Sequence, residues 1–426
     1  MDVISFFLHL IVGLSSCYFF LRNKTDLLLL FFLSSILYHW QIIFGQIWVP
    51  PFSFPASEES KLILSTILIT QLFWAFLVDR IRFKRVLGPR SMVMPLITLD
   101  SITILLVISY ISSLTVIYLV PDIWTINKTQ YRSVLSDIFP YDFFIYYPAS
   151  IALLLGLFYR KYLFVVLSLL PLLLNLFLGQ RTSIVLAFIG AVMILTCGVR
   201  LRSMKSLLFA LAILACWSSM VVVKFSSSHI KQGGWSDFQS YIASDKRFGA
   251  ESDFWAFAFG SAEFGQISSN LSLSTVTDQS PDTSFVEVFW SSFPFVKTIL
   301  DMDNDEVRFS TFIERFANPG FSYGLGGTIW GEMFSYGGIF GVWIFCLVCL
   351  LVLTFLSLSI CAGISWSPYL IFFGSFVGFY IHRCDLILVF GHIKNTVLFC
   401  AVGFLWHVHY RIIILFLRNQ QNSGSS

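Results

Sequence analysis

The sequence predicts an all-α, polytopic transmembrane helix bundle with one large polar loop. Three observations support this prediction. The chain of 426 residues is 57% hydrophobic and only 12% charged, its apolar runs are about 20 residues long, and polar residues concentrate between positions 224 and 328. Because backbone groups in lipid must be hydrogen-bonded within their own segment, runs without period-two alternation indicate helices rather than a barrel.

Apolar runs of about 17 to 25 residues define about eleven candidate spans. They cover residues 3–21, 27–45, 62–79, 96–120, 143–158, 162–178, 183–199, 206–223, 329–357, 366–381 and 396–417. We therefore divide the chain into an N-terminal transmembrane bundle (1–223), a large loop (224–328), C-terminal transmembrane helices (329–418) and a disordered tail (419–426).

Basic residues in the short loops predict the orientation of the bundle, since Lys and Arg favour the cytoplasmic side. The clusters are Arg22 with Lys24; Arg80, Arg82, Lys84, Arg85 and Arg90; Arg160 with Lys161; and Arg200, Arg202 and Lys205. If successive spans cross the membrane in alternating directions, all four clusters lie on the same side. The N-terminus and the large loop are therefore expected outside, and the C-terminus inside.

Within the large loop, residues 251–260 and 284–300 show apolar residues at helical spacing, whereas 270–283 is rich in Ser, Thr and Asp. This pattern predicts short interfacial helices joined by polar turns. The net charge of +3 is small, and its basic residues are scattered at helix ends. Nucleic-acid binding is not expected from such a distribution.

The eight cysteines lie in or beside apolar runs, and the loop has none, so no disulfide framework is expected there. Cys346 and Cys349 form a CxxC inside an apolar run and are expected to pack as small hydrophobes. The acidic run at 301–306 lacks the glycine and terminal glutamate of a hand-type calcium loop. We expect no metal and no cofactor.

Arginines are the first candidates for chemistry. Arg181 lies in a break of four or five residues between two apolar spans, which would hold its guanidinium at the headgroup level. A guanidinium there can clamp a phosphate with two parallel hydrogen bonds, or it can simply snorkel to the interface. Arg308 and Arg315 are seven residues apart on a predicted short helix, so both can face one anion.

Carboxylates and a histidine are the second group. Glu332 is in the first turn of the span after the loop, where it is either a general base or a helix cap. His382, Arg383 and Asp385 lie at the outer end of the tenth span. Charges at that depth face a cavity or one another, so Arg383 and Asp385 form either part of a site or an ion pair.

The stretch Gly331-Glu332-Met333-Phe334, followed by Tyr336-Gly337-Gly338-Ile339-Phe340-Gly341, resembles the segment that closes the large periplasmic loop of bacterial O-antigen polymerases, the Wzy family. Gly179-Gln180-Arg181 is similar to that family's Gly-x-Arg before the loop. Arg383-Cys384-Asp385 resembles its Arg-Gly-Asp-like turn, with Cys in place of Gly.

This resemblance implies a GT-C-like, metal-independent glycosyltransferase of the bacterial inner membrane. It would transfer an undecaprenyl-pyrophosphate-linked glycan to the non-reducing end of a new lipid-linked repeat unit at the periplasmic face, inverting by direct displacement. Arg181, Arg308, Arg315 and Arg383 would hold the pyrophosphate, and Glu332, Asp385 or His382 would act as base. The implied partners are the bilayer, the lipid-linked oligosaccharide and a chain-length regulator of the Wzz type. Aromatic candidates for the glycan are Tyr323, Trp290 and Trp330.

Two alternatives stay open from the sequence. The topology also resembles O-antigen ligases, which usually have a histidine near the end of the large loop, whereas the loop's histidine here is His229 at its start. A transporter or flippase would be expected to show internal repeats and charges near the bilayer midplane. Here the charges collect at one face.

Overall fold

The computed structural model describes residues 3–49, 52–80, 95–120, 143–178, 180–197, 235–236, 239–240, 263–276, 284–291, 309, 327–362, 364 and 367–423. Several predicted features lie outside these residues. They are Arg308, Arg315, Tyr323, the span at 206–223, the loop helix at 251–260 and the acidic run at 301–306.

The first half of the chain forms seven helices and a short hairpin within the described residues. The elements are α1 (Val3–Arg22), α2 (Leu27–Ile43), β1 (Gln46–Val49), β2 (Phe52–Pro55), α3 (Glu58–Arg80), α4 (Pro95–Leu119), α5 (Phe143–Phe158), α6 (Tyr162–Phe177) and α7 (Thr182–Thr196). β1 and β2 pair antiparallel, with Gln46 opposite Pro55. The hairpin was not predicted from the sequence.

The second half continues with two helices in the large loop and three helices after it. These are α8 (Glu263–Val276), α9 (Phe285–Ser291), α10 (Ile329–Cys361), α11 (Ser367–Ser375) and α12 (Leu386–Ser423). Between α11 and α12 the chain passes through one turn of π-helix (Phe376–Tyr380) and one of 3₁₀-helix (Ile381–Arg383).

Five of the described helices are long and apolar enough to cross a membrane. They are Val3–Arg22, Glu58–Arg80, Asp100–Leu119, Ile329–Cys361 and Leu386–Tyr410. Shorter apolar helices are α2, α5, α6 and α7. The prediction of a helical membrane protein is confirmed, and the number of eleven spans stays a prediction.

Three predicted boundaries were wrong. The last span was predicted to begin at 396, but α12 begins at Leu386, so most of the expected outer loop 381–395 is helical. Residues 419–423 belong to α12 rather than to a disordered tail. Residues 270–276 lie in α8 rather than in a polar turn, because their serines and Asn270 are mostly buried against other helices.

The N-terminal and C-terminal helices share one hydrophobic core. Leu27 and Leu30 of α2 pack against glycines of the C-terminal helices: a Cβ on Gly374 would lie 3.1 Å from Leu27 Cδ1, and one on Gly378 would lie 2.9 Å from Leu30 Cδ2. α10 also packs along α3. The large loop therefore separates the two groups of helices in sequence only.

A partly buried ionic network joins the ends of α1, α2 and α3. The Arg22 guanidinium contacts Asp26 at 2.6 Å and Asp79 at 2.8 Å. Tyr18 Oη donates to Asp79 at 2.9 Å, and the more exposed Lys24 lies 3.0 Å from the same carboxylate. Asp26 also caps α2 by accepting from the Leu29 N–H. Opposite charges balance within the network, which lowers the cost of burying part of it.

Candidate functional site

A glycine break divides α10 and sets the direction of its first two turns. Gly338 has φ +57° and ψ −151°, and Gly337 has φ −150° and ψ 17°, so neither continues the helix. Positive φ with this ψ is accessible almost only to glycine. The segment from Ile329 to Tyr336 is therefore a separate short helix, and it contains Glu332.

Glu332 is buried and caps a helix other than its own. Its carboxylate accepts a hydrogen bond of 2.6 Å from the backbone N–H of Leu386, the first residue of α12. The Tyr336 side chain also hydrogen-bonds to Glu332. The first N–H groups of a helix have no partner inside the helix and attract a carboxylate. The capping role considered from the sequence thus exists, but it fixes α10 to α12.

Asp385 places a second carboxyl group beside the first. It directly precedes α12, is 2% exposed and interacts electrostatically with Glu332. Gly327, just before α10, lies directly against Asp385. A Cβ at Gly327 would lie 2.8 Å from the Asp385 backbone nitrogen, so a side chain there would push the two segments apart. Cys384, which replaces the expected glycine, has φ −103°, a conformation that any residue adopts.

His382 belongs to a chain of buried polar side chains. Trp330 Nε1–H donates to His382 Nδ1 at 2.8 Å. On the other side of the ring, Nε2 lies 3.3 Å from Ser35 Oγ, which also accepts from Gln71 Nε2 at 2.7 Å. Phe31 stacks on the imidazole with centroids 4.9 Å apart. All five side chains are buried.

The hydrogen bonds among these side chains determine the tautomer of His382. Indole N–H is only a donor, so Nδ1 must be the acceptor. A neutral imidazole then has its proton on Nε2, facing Ser35 Oγ, whose own proton is donated to the Phe31 carbonyl at 2.7 Å. Both ring nitrogens are therefore engaged. In this conformation His382 has no nitrogen left to accept a proton from a substrate, which favours a positioning role over a base.

Arg181 and Arg383 converge on one pair of tyrosines although 202 positions separate them. Arg181 is 7% exposed and precedes α7, and its guanidinium interacts electrostatically with Tyr380 and Tyr38. The Arg383 guanidinium lies 5.6 Å from the Tyr380 ring centroid and also interacts with Tyr38. Thr182 Oγ1 donates to Tyr380 Oη at 3.2 Å. Both guanidinium groups therefore lie near the same two tyrosines.

Two loop helices pack around these groups. Ser268 of α8 donates to the Tyr38 carbonyl at 3.1 Å, and a Cβ on Gly331 would lie only 2.2 Å from Ser274 Oγ. α9 covers the other side, where Phe285 contacts Tyr336 edge to face at 6.5 Å between centroids. α8 and α9 of the large loop therefore contact the helices that carry Tyr38, Glu332 and Tyr336.

The aromatic candidates for the glycan differ in exposure. Trp330 is fully buried between Phe31, Phe345 and His382, so no face of its ring is open to a sugar. Trp290 on α9 is 46% exposed and keeps an accessible ring.

Four residues that sequence reasoning missed complete the site: Tyr38, Tyr380, Ser35 and Gln71. Each lies in an apolar helical segment, where a single Tyr, Ser or Gln is common. A polar residue facing the bundle interior was the available signal. His39 of α2 lies edge-on to His382 with centroids 5.5 Å apart.

Across the described residues, no group of three or more His, Cys, Asp or Glu side chains could hold a metal ion. No protein-family model matches the chain, and no curated protein sequence or solved structure matches it.

Proposed function

We propose that this protein is a membrane glycosyltransferase that polymerises lipid-linked oligosaccharide repeat units, as the resemblance to O-antigen polymerases implies. One observation favours this function: Arg181 and Arg383 lie near Tyr380, while the carboxyl groups of Glu332 and Asp385 lie at the start of α12, a few residues further along the same segment. Arg383 and Leu386 are three residues apart, so their backbones are within about 11 Å. A diphosphate and the sugar attached to it fit that distance.

The arginines would stabilise the leaving group. In the proposed reaction the acceptor hydroxyl attacks the anomeric carbon, the C–O bond to the diphosphate breaks, and negative charge develops on the departing undecaprenyl diphosphate. Fixed guanidinium groups stabilise such charge without a metal and without reorganisation at the moment of reaction. Arg181 and Arg383 would provide this, joined by Arg308 and Arg315 from the loop.

The base would be one of the two carboxyl groups. Glu332 and Asp385 lie side by side, so either can accept the proton of the acceptor hydroxyl while the other orients it. His382 would instead position the Trp330 end of α10, since both its ring nitrogens are already bonded. Direct displacement by one hydroxyl inverts the anomeric carbon.

The cation role is tested with Arg181→Ala, compared with Arg160→Ala as the matched control. Arg160 is an exposed arginine in the turn between α5 and α6, away from the tyrosine pair. We expect Arg181→Ala to abolish long-chain polysaccharide while protein levels in the membrane stay unchanged, and Arg160→Ala to give a normal ladder. Arg315→Ala should behave like Arg181→Ala. A normal ladder from both of these variants would exclude the arginine clamp.

The base is tested with Glu332→Gln and Asp385→Asn, with Glu287→Gln as control. Glu287 is exposed on α9, and hydrogen bonds from Ser284 lower its pKa, so it is an ionised loop carboxylate outside the carboxyl pair. Glutamine keeps an acceptor oxygen for the Leu386 N–H but cannot take a proton. Near-normal polymer from Glu332→Gln would restrict Glu332 to capping α12.

A lipopolysaccharide gel from a strain lacking the protein separates the alternatives. Molecules with a single repeat unit indicate a polymerase. Complete absence of O-antigen would indicate the ligase or the flippase instead. Accumulation of lipid-linked units on the outer or inner face of the membrane then distinguishes those two.

A further inference from the structure

Two thiols meet where α7 and α10 end. Cys197 Sγ and Cys361 Sγ are 3.3 Å apart and are not joined by a disulfide. Cys361 is partly exposed, whereas Cys197 is 8% exposed. A disulfide bond is about 2.05 Å long, so the two sulfurs need to approach by only about 1.3 Å to bond.

Independent contacts hold the two helix ends together. Thr25 Oγ1 donates to the Thr196 carbonyl, and the Leu27 N–H donates to Ser357 Oγ at 3.2 Å. The start of α2 therefore bridges the last turns of α7 and α10. Cys197 itself has left the helix, with φ −54° and ψ 126°, and Cys361 is the last residue of its helix. A small movement at such ends breaks few helical hydrogen bonds.

We propose that Cys197 and Cys361 are an oxidation site, at which a two-electron thiol oxidant such as hydrogen peroxide forms a disulfide between α7 and α10. The more exposed Cys361 releases its proton, and its thiolate attacks the peroxide; the O–O bond breaks, and the hydroxide that leaves takes up the proton, giving a sulfenic acid and one water. The Cys197 thiolate then attacks that sulfur and displaces hydroxide, which takes up the Cys197 proton to form the second water. Two thiols and one hydrogen peroxide thus become one disulfide and two waters, and a dithiol reverses the reaction.

The bond would join the far ends of two helices that hold the candidate site. Arg181 immediately precedes α7, and Glu332 is in the first turn of α10. The linked residues are 164 positions apart and enclose the whole large loop. A cross-link that closes so long a segment restrains the unfolded chain and raises the melting temperature.

The test uses the full-length protein in isolated membranes. Hydrogen peroxide is added, remaining thiols are blocked with N-ethylmaleimide, and peptides are analysed by mass spectrometry. We expect a Cys197–Cys361 linked peptide 2 Da lighter than the two thiol peptides together, in most chains, and its loss after dithiothreitol. The apparent melting temperature of the oxidised protein should rise.

Controls separate this pair from random oxidation. Cys361→Ser should remove the linked peptide and the rise in melting temperature, and Cys346→Ser, in the middle of α10, should change neither. Accumulation of Cys361 sulfinic acid without the link, or equal linkage of Cys361 to other cysteines, would overturn the proposal. If a variant does not fold, the cross-linked and oxidised peptides of the wild-type protein are sufficient to decide between these outcomes. The readout is chemical, so it does not depend on the proposed transferase activity.

Discussion

Replacement of Gly338 by alanine tests the break in α10. Gly338 has positive φ with ψ −151°, whereas the adjacent Gly337 has negative φ, and a Cβ at either position would meet nothing within 4 Å. The cost of Gly338→Ala is therefore backbone strain alone, about 1–3 kcal/mol. Gly337→Ala has no such strain, and we expect a change of about 0.5 kcal/mol or less.

The measurement is the apparent melting temperature of detergent-purified protein, followed by tryptophan fluorescence at one scan rate for both variants. One kcal/mol corresponds to roughly 2–4 °C in a domain of 150–250 residues and to less in a longer chain, so Gly338→Ala should melt a few degrees lower. If the strained helix straightens instead, Glu332 moves away from Leu386 and polymer formation falls. Wild-type melting and polymer in both variants would refute the glycine-dependent break.

Three further predictions use the same melting measurement. Arg22→Ala should cost about 1–3 kcal/mol because two carboxylates lose their shared charged partner, whereas Lys24→Ala, with a side chain 54% exposed, should cost under about 1 kcal/mol; equal effects would contradict the network. Gly331→Ala should lower the melting temperature, because the new Cβ would lie 2.2 Å from Ser274 Oγ. Adding Ser274→Gly to that variant should restore part of the lost melting temperature. If the effects of the two substitutions simply add in the double variant, α8 does not pack against Gly331. His382→Ala removes the acceptor of a buried indole N–H and should cost about 1–3 kcal/mol; unchanged melting with lost polymer would instead make His382 a reacting group.

Several features could be predicted because their signals are local. The apolar runs that became α1, α3 and α5 were located to within a few residues, since hydropathy is read directly along the chain. The start of α12 was misplaced because His392, Lys394 and Asn395 suggested a polar loop. His392 is instead half-buried and stacked on Phe376 with centroids 3.8 Å apart, which no local pattern indicates.

The candidate site was predictable only in part. Arg181, Glu332 and Asp385 stood out because charged groups are costly at that depth of a membrane protein. Their partners did not stand out. Tyr38, Ser35 and Gln71 lie in apolar segments, and their role depends on how α2 and α3 are rotated in the bundle, which the sequence pattern does not specify.

By itself, the sequence determined that the chain is a helical membrane protein, where its polar loop lies and which charged residues need an explanation. Length and hydropathy are properties of single segments, so no folded structure is needed to read them. Only the tertiary structure decided that Glu332 caps α12, that two distant arginines meet at Tyr38 and Tyr380, and that Cys197 faces Cys361. The members of each pair (Glu332 and Leu386, Arg181 and Arg383, Cys197 and Cys361) are more than 50 positions apart, and helix packing brings them together.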